Sequence, residues 1–93
     1  NTPIKSVGAG TIIFSDWTPS SGYVVIVRHK DDILSVYKNA ASVTKSQGNI
    51  VRSGEVIALA GNANNLQNSG ATLHFELWKD GFPIDPTQFI NFN

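Results

Sequence analysis

The sequence contains no cysteine and no methionine. Without cysteine there is no disulfide framework, no thiolate zinc site and no thiol nucleophile, so any metal must be held by histidine, carboxylate or water. Charge is scarce and balanced: seven Lys and Arg face seven Asp and Glu, and charged residues make up 15% of the chain. Nothing here favours a phosphate backbone or an anionic membrane, and no nucleic-acid partner is expected. No apolar run approaches the roughly 18 residues that suggest a bilayer-spanning helix, so no membrane span is expected. Ninety-three residues allow one domain with one modest core, spanning 1–93, and exclude a multidomain enzyme. The chain starts at Asn1 with no basic-then-apolar leader, which reads as a processed form or an excised piece.

What is present is a set of short apolar runs, rich in β-branched and aromatic residues and separated by Gly, Asn, Ser and Asp. That pattern predicts an all-β domain with antiparallel sheets, packed as a sandwich or curled like a barrel. Thr11–Phe14 reads as a strand and Ser15–Gly22 as a turn, with Pro19 and Gly22. Tyr23–Arg28 is apolar on both faces and so does not suit an exposed edge. Lys30-Asp31-Asp32 is a hairpin turn into a strand at Ile33–Tyr37, and Asn39–Val43 reads as a loop. Ile50-Val51 and Val56–Ala60 are strands, with turns at Gln47-Gly48-Asn49 and Arg52–Glu55. The Asn62–Gly70 stretch is a polar surface loop. Thr72–Trp78 alternates, placing Leu73, Phe75 and Leu77 on one face and Thr72, His74, Glu76 and Trp78 on the other. Asp80-Gly81 turns into an extended closing segment at 82–86, and 87–92 forms a tail. Val7–Ile13 and Val51–Ile57 share the pattern Val-x-x-Gly-x-aliphatic-Ile, through chance in a Gly-rich β protein or through duplication of a strand-turn-strand unit.

There are two histidines. His29, between an apolar strand and a turn, suits a structural role bonding backbone carbonyls. His74 lies mid-strand on the face of Thr72 and Glu76, where it is either a satisfied half-buried imidazole or a group that meets a ligand or metal over the sheet. No Gly-x-Ser-x-Gly elbow, phosphate-binding loop or His-Glu-x-x-His helix occurs. Glu55 and Glu76 fall on different strands, with nothing local to pair them as acid and base. Phe14, Trp17, Tyr23 and Trp78 either fill the core, the default for aromatics in a small chain, or stack on a sugar.

The run Ser69-Gly70-Ala71-Thr72-Leu73-His74-Phe75-Glu76-Leu77, with Asp85-Pro86 after it, resembles the signature Ser-x-Gly-Pro-His-Leu-His-Phe-Glu of the LytM-like, lysostaphin-type zinc endopeptidases. Val51–Ala58 with Gly61, Gly22–His29, Ser35-Val36-Tyr37 and Ala9–Ile12 are similar to further family segments in the same order, over some eighty residues. The resemblance implies a duplicated β hybrid motif, in keeping with the internal echo. It also implies a bacterial, extracytoplasmic setting in the periplasm or cell envelope.

The family's functional positions carry over incompletely. Its zinc is held by a His-x-x-x-Asp segment, which would lie before Asn1, and by the second His of His-x-His, matched by His74 as a remnant ligand. The domain is therefore expected to lack that N-terminal metal-binding segment. The first His of His-x-His is Thr72 here, and the other catalytic His, two residues after Tyr37, is Asn39. A catalytic zinc needs about three protein ligands and an open position, and His74 alone does not supply them. Hydroxyl and amide side chains do not titrate near neutral pH. Acid–base catalysis is worth roughly 10²–10⁴ and one oxyanion donor about 10²–10³, so losing both leaves negligible peptidase activity. The expectation is a pseudo-peptidase with no cofactor, which binds peptidoglycan peptide or regulates a cell-wall amidase. Its groove would be formed by Tyr37, Asn39, Thr72, His74 and Glu76. The alternative is an active zinc metallo-endopeptidase that cleaves peptidoglycan cross-links with upstream ligands. A lipoyl- or biotin-type carrier is disfavoured, because Lys30 and Lys45 lack the Met-Lys-Met or Asp-Lys-Ala flanks.

Overall fold

A computed structural model describes residues 2–61 and 73–85. Among these, nine strands follow in chain order: β1 (Pro3–Lys5), β2 (Gly10–Thr18), β3 (Gly22–Arg28), β4 (Ile33–Ala40), β5 (Ser42–Val43), β6 (Ile50–Val51), β7 (Val56–Leu59), β8 (His74–Lys79) and β9 (Phe82–Ile84). A 3₁₀ turn at Lys30–Asp32 joins β3 to β4. The strands make two antiparallel sheets, a three-stranded one in the order β1-β7-β5 and a six-stranded one in the order β6-β2-β3-β4-β8-β9. The all-β expectation is thereby met. The doubly apolar segment became β3, inside the larger sheet with neighbours on both edges, its Val25 and Val27 in the core and its Ile26 on the outer face.

The internal echo has a structural counterpart. One unit is β1, a turn and β2; the other is β6, a turn and β7. Each unit pairs with the other: β1 runs against β7, and β2 against β6 through Gly10 opposite Val51. The two turns are tied as well, since Ser6 N–H donates to Glu55 O at 2.9 Å and Gly54 N–H to Ser6 O at 2.8 Å. The core lies on the inner faces of the two sheets. Ile4, Ile57 and Ala58 come from the smaller sheet and Ile12, Val25, Val27, Tyr37, Ala40 and Val51 from the larger, and Phe75 packs against this cluster. Burying each large aliphatic chain contributes about 1.5–3 kcal/mol.

Three local expectations are corrected, and one strand was not anticipated. Ser15–Gly22 is not all turn, because β2 continues to Thr18: its partner β3 supplies the ladder, and Ser15 Oγ donates to Lys45 O at 2.6 Å. The turn itself is held by Ser21 N–H donating to Thr18 Oγ1, and Thr18 Oγ1 to Gly22 O. Asn39–Val43 is not a loop; it contains the end of β4 and all of β5. Asn39 adopts a positive φ of 67°, a conformation that Asn tolerates better than most residues, just before the chain passes from the larger sheet to the smaller. β1 carries one buried residue, Ile4, too little pattern to announce a strand. Trp17 does not fill the core: it is 56% exposed at the end of β2. The 62–70 loop and the 87–92 tail lie outside the described residues.

Candidate functional site

Alternation along β8 divides its side chains as the sequence suggested. Leu77 is buried, and Leu73 and Phe75 pack on the core, while His74, Glu76 and Trp78 face the other way. The register of β3, β4 and β8 then sets rows of neighbours on this outer face. Ile26, Val36 and Glu76 form one row, Arg28, Leu34 and Trp78 a second, and Lys38 lies directly opposite His74.

Glu76 organises the face. Its Oε1 accepts the Trp78 indole N–H at 2.9 Å. Its Oε2 accepts from His74 Nε2 at 2.8 Å and lies 3.2 Å from Lys38 Nζ. The indole N–H leads the effects that hold the Glu76 carboxyl below its ordinary value, with His74 and Lys38 adding to it and burial opposing it. A lowered carboxyl value contributes stability above the unfolded-state value near 4.5, and that stability is lost as pH falls through the lower folded-state value. Glu76→Gln should therefore flatten the decline of the urea midpoint in this acid range. A decline as steep as that of the unaltered protein would refute the role.

The same bonds define the state of His74. An ionised carboxylate only accepts, so Nε2 must carry the proton, and in the neutral ring the lone pair is left on Nδ1. Among the described residues, no three His, Cys, Asp or Glu side chains are grouped to hold a metal ion. With an ammonium on the same Glu76 oxygen, the described residues do not by themselves fit a zinc centre, for which about three protein ligands are needed.

Two concavities flank the Lys38–Glu76 pair. A cavity of about 410 Å³ is lined by Ser20, Ser21, Lys38, Asn39 and His74. An apolar trough of about 250 Å³ is lined by Ile26, Leu34, Val36 and Trp78, with Lys38 and Glu76 at its border. Thus Asn39 and His74 share one cavity, and Glu76 lies beside it. Thr72 lies outside the described residues. Tyr37, expected in the groove, faces inward instead. It is 1% exposed, and its hydroxyl accepts the Val7 N–H at 3.0 Å, because alternation along β4 turns Tyr37 to the core and Val36 and Lys38 outward. Lys38, Ser20 and Ser21 were not anticipated; the register of Lys38 against His74 is visible only once β4 and β8 are paired. His29 has the structural role expected of it. Its Nδ1–H donates to Ala9 O at 2.8 Å, and Nε2 accepts from the buried Ser35 hydroxyl at 2.7 Å.

This two-sheet fold is shared with known proteins. The model of Peptidase family M23 matches residues 1–86, and the chain belongs to that family. It is 35% identical over 83 residues to stage II sporulation protein Q of Bacillus subtilis, covering 89% of this chain and 29% of that protein. It is 32% identical over 89 residues to the murein hydrolase activator EnvC of Escherichia coli, covering 96% of this chain and 21% of the relative. A zinc-containing peptidase from Vibrio cholerae superposes with a TM-score of 0.77 at 28% identity, over 91% of this chain and 26% of that one. The chain thus spans less than a third of each of these proteins. Relatives named as regulators and as peptidases occur together in the comparison, and among the described residues no helix is long and apolar enough to cross a membrane.

Proposed function

We propose that this chain is a non-catalytic M23 module of the bacterial envelope, acting outside the cytoplasm by binding peptidoglycan peptide or a cell-wall amidase through the outer face of β4 and β8. The observation that carries the reading is the state of His74: its Nε2 is committed to Glu76, beside the Lys38 ammonium. Asn39 and Thr72 stand where the resembling enzymes have their catalytic histidines, and neither can exchange a proton near neutral pH. The likeness to a murein hydrolase activator supports a regulatory role.

The test is co-sedimentation of the purified protein with peptidoglycan sacculi, repeated with His74→Ala. Capture that falls at least fivefold in the variant is the expected result. Absence of capture by both forms removes the wall ligand and leaves the amidase, whose stimulation is then measured by dye release from labelled sacculi. The second reading, an active zinc endopeptidase, is favoured by the likeness to the Vibrio cholerae protein. Stoichiometric zinc and chelator-sensitive cleavage of cross-link peptides would establish it and overturn the first.

A further inference from the structure

The cavity beside His74 has a one-sided chemistry. Among the described residues, its lining carries one ammonium, one imidazole, two hydroxyls and an amide, and no carboxylate. Glu76 borders the trough, and both its oxygens already accept hydrogen bonds. Lys38 donates to Glu76 through one of its three N–H groups, leaving donors for a second acceptor. Its side chain is 34% exposed, so an anion placed beside it is less screened than at an open surface.

The walls are already fixed. Lys38 and His74 are cross-strand partners in the β4–β8 ladder. The Ser20–Ser21 turn is pinned to β4 by Asn39 N–H donating to Ser21 O at 2.7 Å and to β2 by Ser21 N–H donating to Thr18 Oγ1 at 3.1 Å. A ligand would meet donors in place and would spend little on ordering them.

We propose that this cavity is a receptor for the free carboxylate of a peptide C-terminus. The proposal rests on the groove reading above and specifies what the groove recognises. A monoanion matches the site because Lys38 already shares its charge with Glu76, so a phosphate dianion would remain undercompensated. A peptide matches because Lys38 borders both concavities. With the terminal carboxylate on Lys38 and the Ser20–Ser21 hydroxyls, the side chain of a neighbouring small apolar residue reaches the trough formed by Ile26, Val36 and Trp78.

The experiment titrates the protein with acetyl-Ala-Ala-Ala, synthesised with l- and with d-alanine, each as the free acid and as the C-terminal amide. Binding is read from the backbone amide resonances of Ser21, Lys38 and His74. The expected result is at least fivefold tighter binding of the acid than of the amide in one stereochemical series, with the preference abolished in Lys38→Met and retained in Lys38→Arg. Glu76→Gln, which leaves the ammonium in place and removes its competing partner, should keep or strengthen the preference; this arm remains informative if Lys38→Met does not fold. Equal binding of acid and amide, or no binding of either, overturns the receptor. Equal binding with sacculi still captured rejects the carboxylate and retains the groove reading. A clear acid preference without capture of sacculi retains the receptor and rejects the polymer as its source.

Discussion

Tyr37→Ala should remove about 3–5 kcal/mol of folding stability, the usual consequence of deleting a large buried aromatic ring. Among the described residues Tyr37 is the largest fully buried side chain, and its ring meets that of Phe75 at 5.3 Å between centroids, tilted by 54°. A chain of this length has roughly 5–14 kcal/mol in total, so the variant should be close to unfolded at 37 °C. Tyr37→Phe keeps the ring and removes the acceptor of the Val7 N–H, at about 1–3 kcal/mol. Urea midpoints of the two variants test this ordering; if the alanine variant lost no more than the phenylalanine variant, the ring would not be the centre of the core. Because Lys38 follows Tyr37 on the same strand, a loosened β4 should also blunt ligand binding without any change in a groove side chain.

Gly10→Ala should be nearly as damaging, at about 3 kcal/mol, near the upper part of the range for overpacking. A Cβ at Gly10 would lie 2.3 Å from Arg28 O and 2.8 Å from Val27 Cγ1. Carbonyl oxygens in a ladder do not rotate out of the way as a long side chain does, so β2 and β3 must separate where β2 also meets β6. Thermal and urea unfolding of the variant measure the effect, and an unchanged midpoint would show that the sheet absorbs the methyl by sliding.

These positions show what the chain discloses before it folds. β3 and β8 were legible because their apolar residues run or alternate without interruption, and His29 because of its place between a strand and a turn. β1 and β5 were not, since a two- or three-residue strand is stabilised by its partner, β7, more than by its own pattern. The tail of β2 was hidden because Ser15, Asp16 and Thr18 look like turn residues until β3 supplies their ladder. The candidate site was half legible. The His74 and Glu76 face followed from period-two alternation, and the same rule, applied to Val36-Tyr37-Lys38, would have sent Tyr37 inward and Lys38 outward. Lys38 itself carried no signal, because a lone lysine is ordinarily a solvated surface residue and its meeting with His74 depends on register.

The crossed pairing of the two repeated units also dictates when this protein can fold. Pro3 lies opposite Leu59, and Gly10 opposite Val51, so neither clasp can form until more than half the chain is available. The meander of β2, β3 and β4 closes locally and can form first, but it leaves one face of Val25, Val27 and Tyr37 bare until β7 arrives. Such distant pairings slow folding, since loop closure precedes the contacts that reward it. A chain emerging from its N-terminus would therefore pass through an interval with an apolar sheet face exposed, and during that interval aggregation competes with completion of the sandwich.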